Sequence, residues 1–270
     1  IMGVTISLTP WVNSDSLIIP KIIILFGLAA YCIPKMLILL KSQYRSFSTG
    51  LKVFYIVILS FIVQMIIVML VSEAPFEQEF YGRTGRGLGF AVYFSFAVII
   101  LSVSQYANLD KSKVILLGIV ISCLVSSSYS ILQSQGLDFF DWVTYTNGII
   151  GTLGNPNFQS SFAAMAIVPT LALFSDSKLQ RLFSVISLIV FTYTIYICQS
   201  TQGYLAAAIS SSVFILIYLW YKNKLLFTTF LLPFLTTLVL AFVGMLNHGP
   251  FKYYLYKVSV QSRGEMFRTA

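Results

Sequence analysis

Charge is scarce in this sequence. Only 10% of its 270 residues are Asp, Glu, Lys or Arg, where a soluble domain carries about 25%. With 57% hydrophobic residues and a mean hydropathy of +0.86, a particle of this size cannot hide its apolar side chains from water. An ordinary soluble domain is therefore excluded, and the same hydrophobic share excludes disorder. Histidine occurs once, at His248. No His-Glu-x-x-His, no close cysteine pair and no cage of carboxylates is present, so neither a metal nor a cofactor is expected. The three cysteines, Cys32, Cys123 and Cys198, each lie in or at the end of an apolar run. An odd number of buried thiols does not make a disulfide framework, and they read as small packing residues. Acids number 9 against 17 bases. No basic-aromatic stripe lies outside the apolar runs, so no nucleic-acid partner is expected.

What the sequence does have is long apolar runs, at 17–40, 53–71, 88–107, 114–133, 158–174, 183–198, 204–221 and 225–246. Several reach the roughly 20 residues of a helical membrane span. They are continuous rather than alternating, which disfavours strands. The fold class expected is an all-α polytopic transmembrane bundle of about eight spans, one domain over 1–270. Residues 1–8 are also apolar and read as the tail of a preceding span. The charges sort by alternate loops. One side holds Lys35, Lys41, Arg45, Lys52, Lys111, Lys113, Lys178, Arg181, Lys222 and Lys224 against Asp110 and Asp176. The other holds seven bases and seven acids. The entire +8 thus lies on one side, which the positive-inside rule makes cytoplasmic. Segments 72–87, 134–157, 199–203 and everything after 246 then face outward.

Those outward segments hold the distinctive chemistry. Arg83 and Arg86 lie among glycines in Phe80-Tyr81-Gly82-Arg83-Thr84-Gly85-Arg86. Glycine lets backbone approach a ligand, and the guanidinium fork suits phosphate oxygens. Snorkelling arginines, or pairs with Glu77 and Glu79, are the plainer alternative. In Gly151-Thr152-Leu153-Gly154-Asn155-Pro156-Asn157-Phe158, Pro156 biases Asn155 toward extended backbone. Asn157 is a candidate helix cap, and the helix start behind it could favour an anion. Gln199-Ser200-Thr201-Gln202-Gly203 is either helix–helix glue or a substrate-facing patch. Arg263 and Arg268, five apart near several tyrosines, could converge on a polyanionic headgroup from a bent segment. His248, between Asn247 and Gly249, reads as part of a turn, with a lone general base as the alternative.

Taken together, these segments resemble the bacterial O-antigen ligase and O-antigen polymerase superfamily. The strongest likeness is Gly151–Phe158. Ser16-Leu17-Ile18-Ile19-Pro20-Lys21, Phe80–Arg86 with Gly89, Ser200–Gly203 and Ser262–Ala270 are similar to further family segments. Gln202 stands where many members have arginine, and Phe267 where tryptophan is usual. The resemblance implies a multi-pass protein of the bacterial inner membrane with a periplasmic active face. It implies transfer of a glycan from an undecaprenyl-diphosphate carrier, without metal or cofactor, most simply onto lipid A-core. A polymerase would pass the glycan to a growing chain instead. Membrane lipids are the remaining partner. Arg83, Arg86 and Arg263, with Arg268, would bind the diphosphate, and Asn155 and Asn157 would order the pocket. The family's catalytic histidine lies late in a large periplasmic loop that 247–270 would begin, so no catalytic residue is assigned within 1–270. The chain is then expected to be a piece that is inactive alone, lacking the first span and the later loop. A transporter of lipid-linked anionic glycans would use the same arginines and release its cargo unchanged. A scaffold would need no ordered polar loop before the fifth run.

Overall fold

The computed structural model describes residues 2–8, 18–83, 87–105, 109–140, 148–174 and 177–255. Among them there is helix and no strand: α1 (Met2–Ile6), α2 (Ile19–Gln43), α3 (Thr49–Val71), α4 (Phe76–Tyr81), α5 (Phe90–Gln105), α6 (Leu109–Ser134), α7 (Pro156–Ala172), α8 (Lys178–Cys198), α9 (Thr201–Lys222), α10 (Lys224–Met245) and α11 (Lys252–Leu255). Six of these, α2, α3, α6, α8, α9 and α10, are long and apolar enough to cross a membrane. The apolar α5 is shorter, at 16 residues, and α7 has 17. The fold is a multi-span helical bundle.

Several helix ends extend past the apolar runs, and at some of them a polar side chain caps the helix. Ser48 accepts from the Leu51 amide and starts α3 four residues before its run. Asn223 accepts from the amides of Leu225 and Leu226, ending α9 and starting α10 within one residue. The segment that follows α3 is not all loop, because α4 forms within it.

The centre of the bundle is α7, which packs on α6, α8 and α9. Its buried face is Ala163, Ala164 and Ala166, met by Val120 and Cys123 of α6 and by Phe191 and Ile195 of α8. Small side chains let helix backbones come close, which is how helices associate where lipid is as apolar as they are. The Gly203–Ser160 contact is the extreme case: a Cβ on Gly203 of α9 would run into the Ser160 side chain of α7. On the flank, α5 packs on α2 and α3. Tyr55 of α3 donates to Leu101 O at 2.8 Å and accepts from Gln105 Nε2. All three cysteines are free, with Cys123 and Cys198 buried.

The contacts divide the bundle into two ends. At one, the beginning of α3 meets the end of α5 through Tyr55 and Gln105. At the other, the beginnings of α2, α7 and α9 meet the ends of α6 and α8.

Candidate functional site

The site is built from α6 outward. Ser122, Ser126 and Ser130 recur every four residues on α6 and are fully buried. Ser122 and Ser130 donate to the carbonyls one turn back, Gly118 O at 2.6 Å and Ser126 O at 3.1 Å. That satisfies each hydroxyl within its own helix. Ser126 instead reaches across, donating to Gln159 Oε1 of α7 at 2.8 Å and meeting Thr152 Oγ1 at 2.6 Å. Gln159 is fully buried, and its Nε2 has no hydrogen-bond partner among the described residues.

The next layer is the turn that feeds α7. Residues Gly151–Leu153 form one 3₁₀ turn, with Gly151 at φ +55° and Gly154 at φ +75°. A left-handed residue with a Cβ is strained, and at Gly151 a Cβ would also strike the Gln159 amide. The Gly151 amide donates to Gln133 Oε1 at 2.9 Å. Gln133 Nε2 donates to Asp138 Oδ2 at 2.6 Å, and Tyr129 and the Phe140 amide donate to Oδ1 at 2.6 and 3.2 Å. The turn is thereby tied to the last two turns of α6. Thr152 Oγ1 donates to Thr5 O of α1 at 2.9 Å, and Lys21 Nζ of α2 donates to Thr152 O. Lys21 is half-buried.

Asn155, not Asn157, caps α7. Its backbone is extended, as Pro156 requires, and its Oδ1 accepts from the Asn157 amide at 2.8 Å. The cap therefore takes up one of the amides a bound anion could use. Asn157 Oδ1 is turned to a second task, accepting from Ser200 Oγ at 2.6 Å. Ser200 is the N-cap of α9, after Gln199 has turned the chain at φ +48°. Of the polar residues there, Ser200 is buried, whereas Gln199 and Gln202 are exposed.

No protein-family model, curated protein or solved structure matches this chain. Its site is read from its own residues.

Arg83 is exposed and follows Gly82, which at φ +91° closes α4. The Gly87 amide donates to Arg83 O at 3.0 Å. Backbone at 80–82 lies directly against backbone at 87–89, so Gly82 and Gly89 each lack room for a Cβ. Gly87 rests on Ile18 and Ile22 at the start of α2, and Lys21 projects roughly 100° round that helix from Ile22. The loop carrying Arg83 and the turn carrying Thr152 thus both touch the first turn of α2. Arg86, Arg263 and Arg268 lie outside the described residues. His248 is exposed in the turn after α10, with Nδ1 2.7 Å from Leu246 O. Among the described residues no three His, Cys, Asp or Glu side chains gather as a metal site.

The structure brings Asn155 and Asn157 together with Ser200 and sets the Arg83 loop against the neighbouring α2. It adds Ser126, Gln133 and Gln159, which lie in none of the motifs, and gives Lys21 and Thr152, which lie in two of them, a direct contact. Two signals were available, a lysine at the start of an apolar run and serines spaced four apart on α6.

Proposed function

We propose that this chain is membrane-embedded machinery for moving a glycan from an undecaprenyl-diphosphate carrier to an acceptor, most simply lipid A-core, at the periplasmic face of a bacterial inner membrane. One observation supports the reading best. Residues of four separate parts of the chain, 18–22, 80–83 with 87–89, 151–157 and 200–203, meet at one end of the bundle through Gly87 on Ile22, Lys21 on Thr152 and Asn157 on Ser200. A half-buried lysine in the first turn of an apolar helix, bonded to the turn that feeds α7, is a candidate functional group. Asp138, the acid nearest the turn in this network, is taken up by Tyr129, Gln133 and the Phe140 amide. In this reading Lys21 and Arg83, with Arg86, Arg263 and Arg268, hold the diphosphate and stabilise charge on the leaving phosphate. Asn155 and Asn157 keep the turn and α9 in place. A general base activates the acceptor hydroxyl in this reading, and no residue within 1–270 is assigned that role.

The same reading makes α5 and α7 short spans, for eight in all. They measure about 24 and 26 Å, against a hydrocarbon core of about 30 Å. A central helix such as α7 meets other helices more than lipid and does not need the full length. With eight spans, the ten bases and two acids fall on the cytoplasmic side and the site on the other.

The test is Arg83→Ala/Arg86→Ala in the full gene product. Transfer should fall by at least about 100-fold, with the protein still expressed and inserted. Normal transfer by that variant would overturn the assignment of these arginines.

A further inference from the structure

At the opposite end of the bundle, α9 and α10 leave an apolar groove of about 230 Å³ beside their shared turn. Val213, Leu216, Ile217, Trp220, Tyr221 and Phe227 line it. Leu216 is buried, and Trp220 and Phe227 meet edge to face with ring centroids 4.9 Å apart. Nothing in that lining bonds to a polar ligand beyond the rims of Trp220 and Tyr221, so the lining suits hydrocarbon. The turn is different. Lys222 and Lys224 stand exposed on either side of Asn223, and the Lys224 ammonium lies over the Trp220 ring at 5.7 Å. Asn223 Oδ1 already occupies the amides of Leu225 and Leu226. An anion arriving here is therefore met by the two ammonium groups rather than by the start of α10. This is also the end where the sequence gathers ten bases against two acids.

We propose that this groove holds an acyl chain of one anionic phospholipid, with its headgroup phosphate between Lys222 and Lys224. The apolar lining and the two exposed lysines of the adjoining turn complement the two halves of such a molecule, its chain and its headgroup. Basic pockets between helices recruit anionic headgroups by this arrangement. A zwitterionic lipid fills the groove equally well but gains less from the lysines. The proposal requires a bilayer around the bundle and does not depend on glycan transfer.

The experiment uses Trp220 as its own reporter. The full chain carries Trp11→Phe and Trp142→Phe and is reconstituted in nanodiscs of phosphatidylcholine. Phosphatidylglycerol or phosphatidylethanolamine with brominated acyl chains is then titrated in. Brominated phosphatidylglycerol should quench Trp220 at roughly tenfold lower mole fraction than brominated phosphatidylethanolamine. Lys222→Gln/Lys224→Gln should erase that difference, whereas Lys41→Gln/Lys178→Gln, which removes the same charge elsewhere at this end, should keep it. Equal quenching by both lipids in the parent protein would overturn the proposal. So would an equal loss in the two double variants, which would reduce the effect to general surface charge. Phosphatidylglycerol-independent burial of Trp220 in a dimer of the chain would overturn it as well.

Discussion

Gly151 carries more structural demand than its size suggests. It sits at φ +55°, donates its amide to Gln133 and leaves the Gln159 side chain room beside Ser126. Gly151→Ala meets both a backbone and a packing penalty, so it should cost about 1–3 kcal/mol. A lower melting temperature in detergent, with helical content retained, is the expected result; an unchanged melting temperature would mean the turn is not under this constraint. Asn155 and Asn157 show how residue-scale chemistry divides labour between neighbours. Both were legible in the sequence as polar residues around a proline, but their roles were not. The choice depends on Ser200, 43 residues away, which offers Asn157 a hydroxyl and leaves Asn155 to cap. Lys21 was legible as one base among seventeen and as the end of the Ser16–Lys21 segment, but not as a partner of Thr152, because nothing local announces that Thr152 will stand opposite it.

At the scale of elements, apolar runs translate directly into helices, since a bilayer leaves backbone groups no partner but their own helix. All eight runs have a helix, and the differences lie at the ends, where Ser48, Asn155, Ser200 and Asn223 cap. Pairing was less legible, because long apolar helices look alike in composition. What decides it is small side chains: Gly203 against Ser160, and the alanines of α7 against α6 and α8. Gly203→Val should push α9 from α7, separate Ser200 from Asn157 and destabilise the bundle by about 1–3 kcal/mol. Cross-linking of cysteine pairs placed across the α7–α9 contact reads this out. Undiminished cross-linking in Gly203→Val would show that the two helices tolerate a wider spacing. α4 was not legible, since six residues among glutamates and glycines carry no apolar period.

For the whole molecule, the net positive charge of one set of loops and the polar contacts at the other end of the bundle are the organising feature. It predicts an orientation. In a background lacking Cys32, Leu137→Cys should react with an impermeant maleimide added to spheroplasts, and Lys178→Cys should react only after the membrane is opened. The reverse pattern would invert the topology and put the Lys21–Thr152 cluster in the cytoplasm. The Lys21–Thr152 cluster is proposed to serve glycan transfer. Its most direct test is the purified full gene product given an undecaprenyl-diphosphate glycan and candidate acceptors, with no added metal. Release of undecaprenyl diphosphate coupled to a new product is expected, on lipid A-core for a ligase or as a lengthened glycan for a polymerase. No turnover with any acceptor, together with movement of intact carrier across a vesicle membrane, would contradict it and make the protein a transporter.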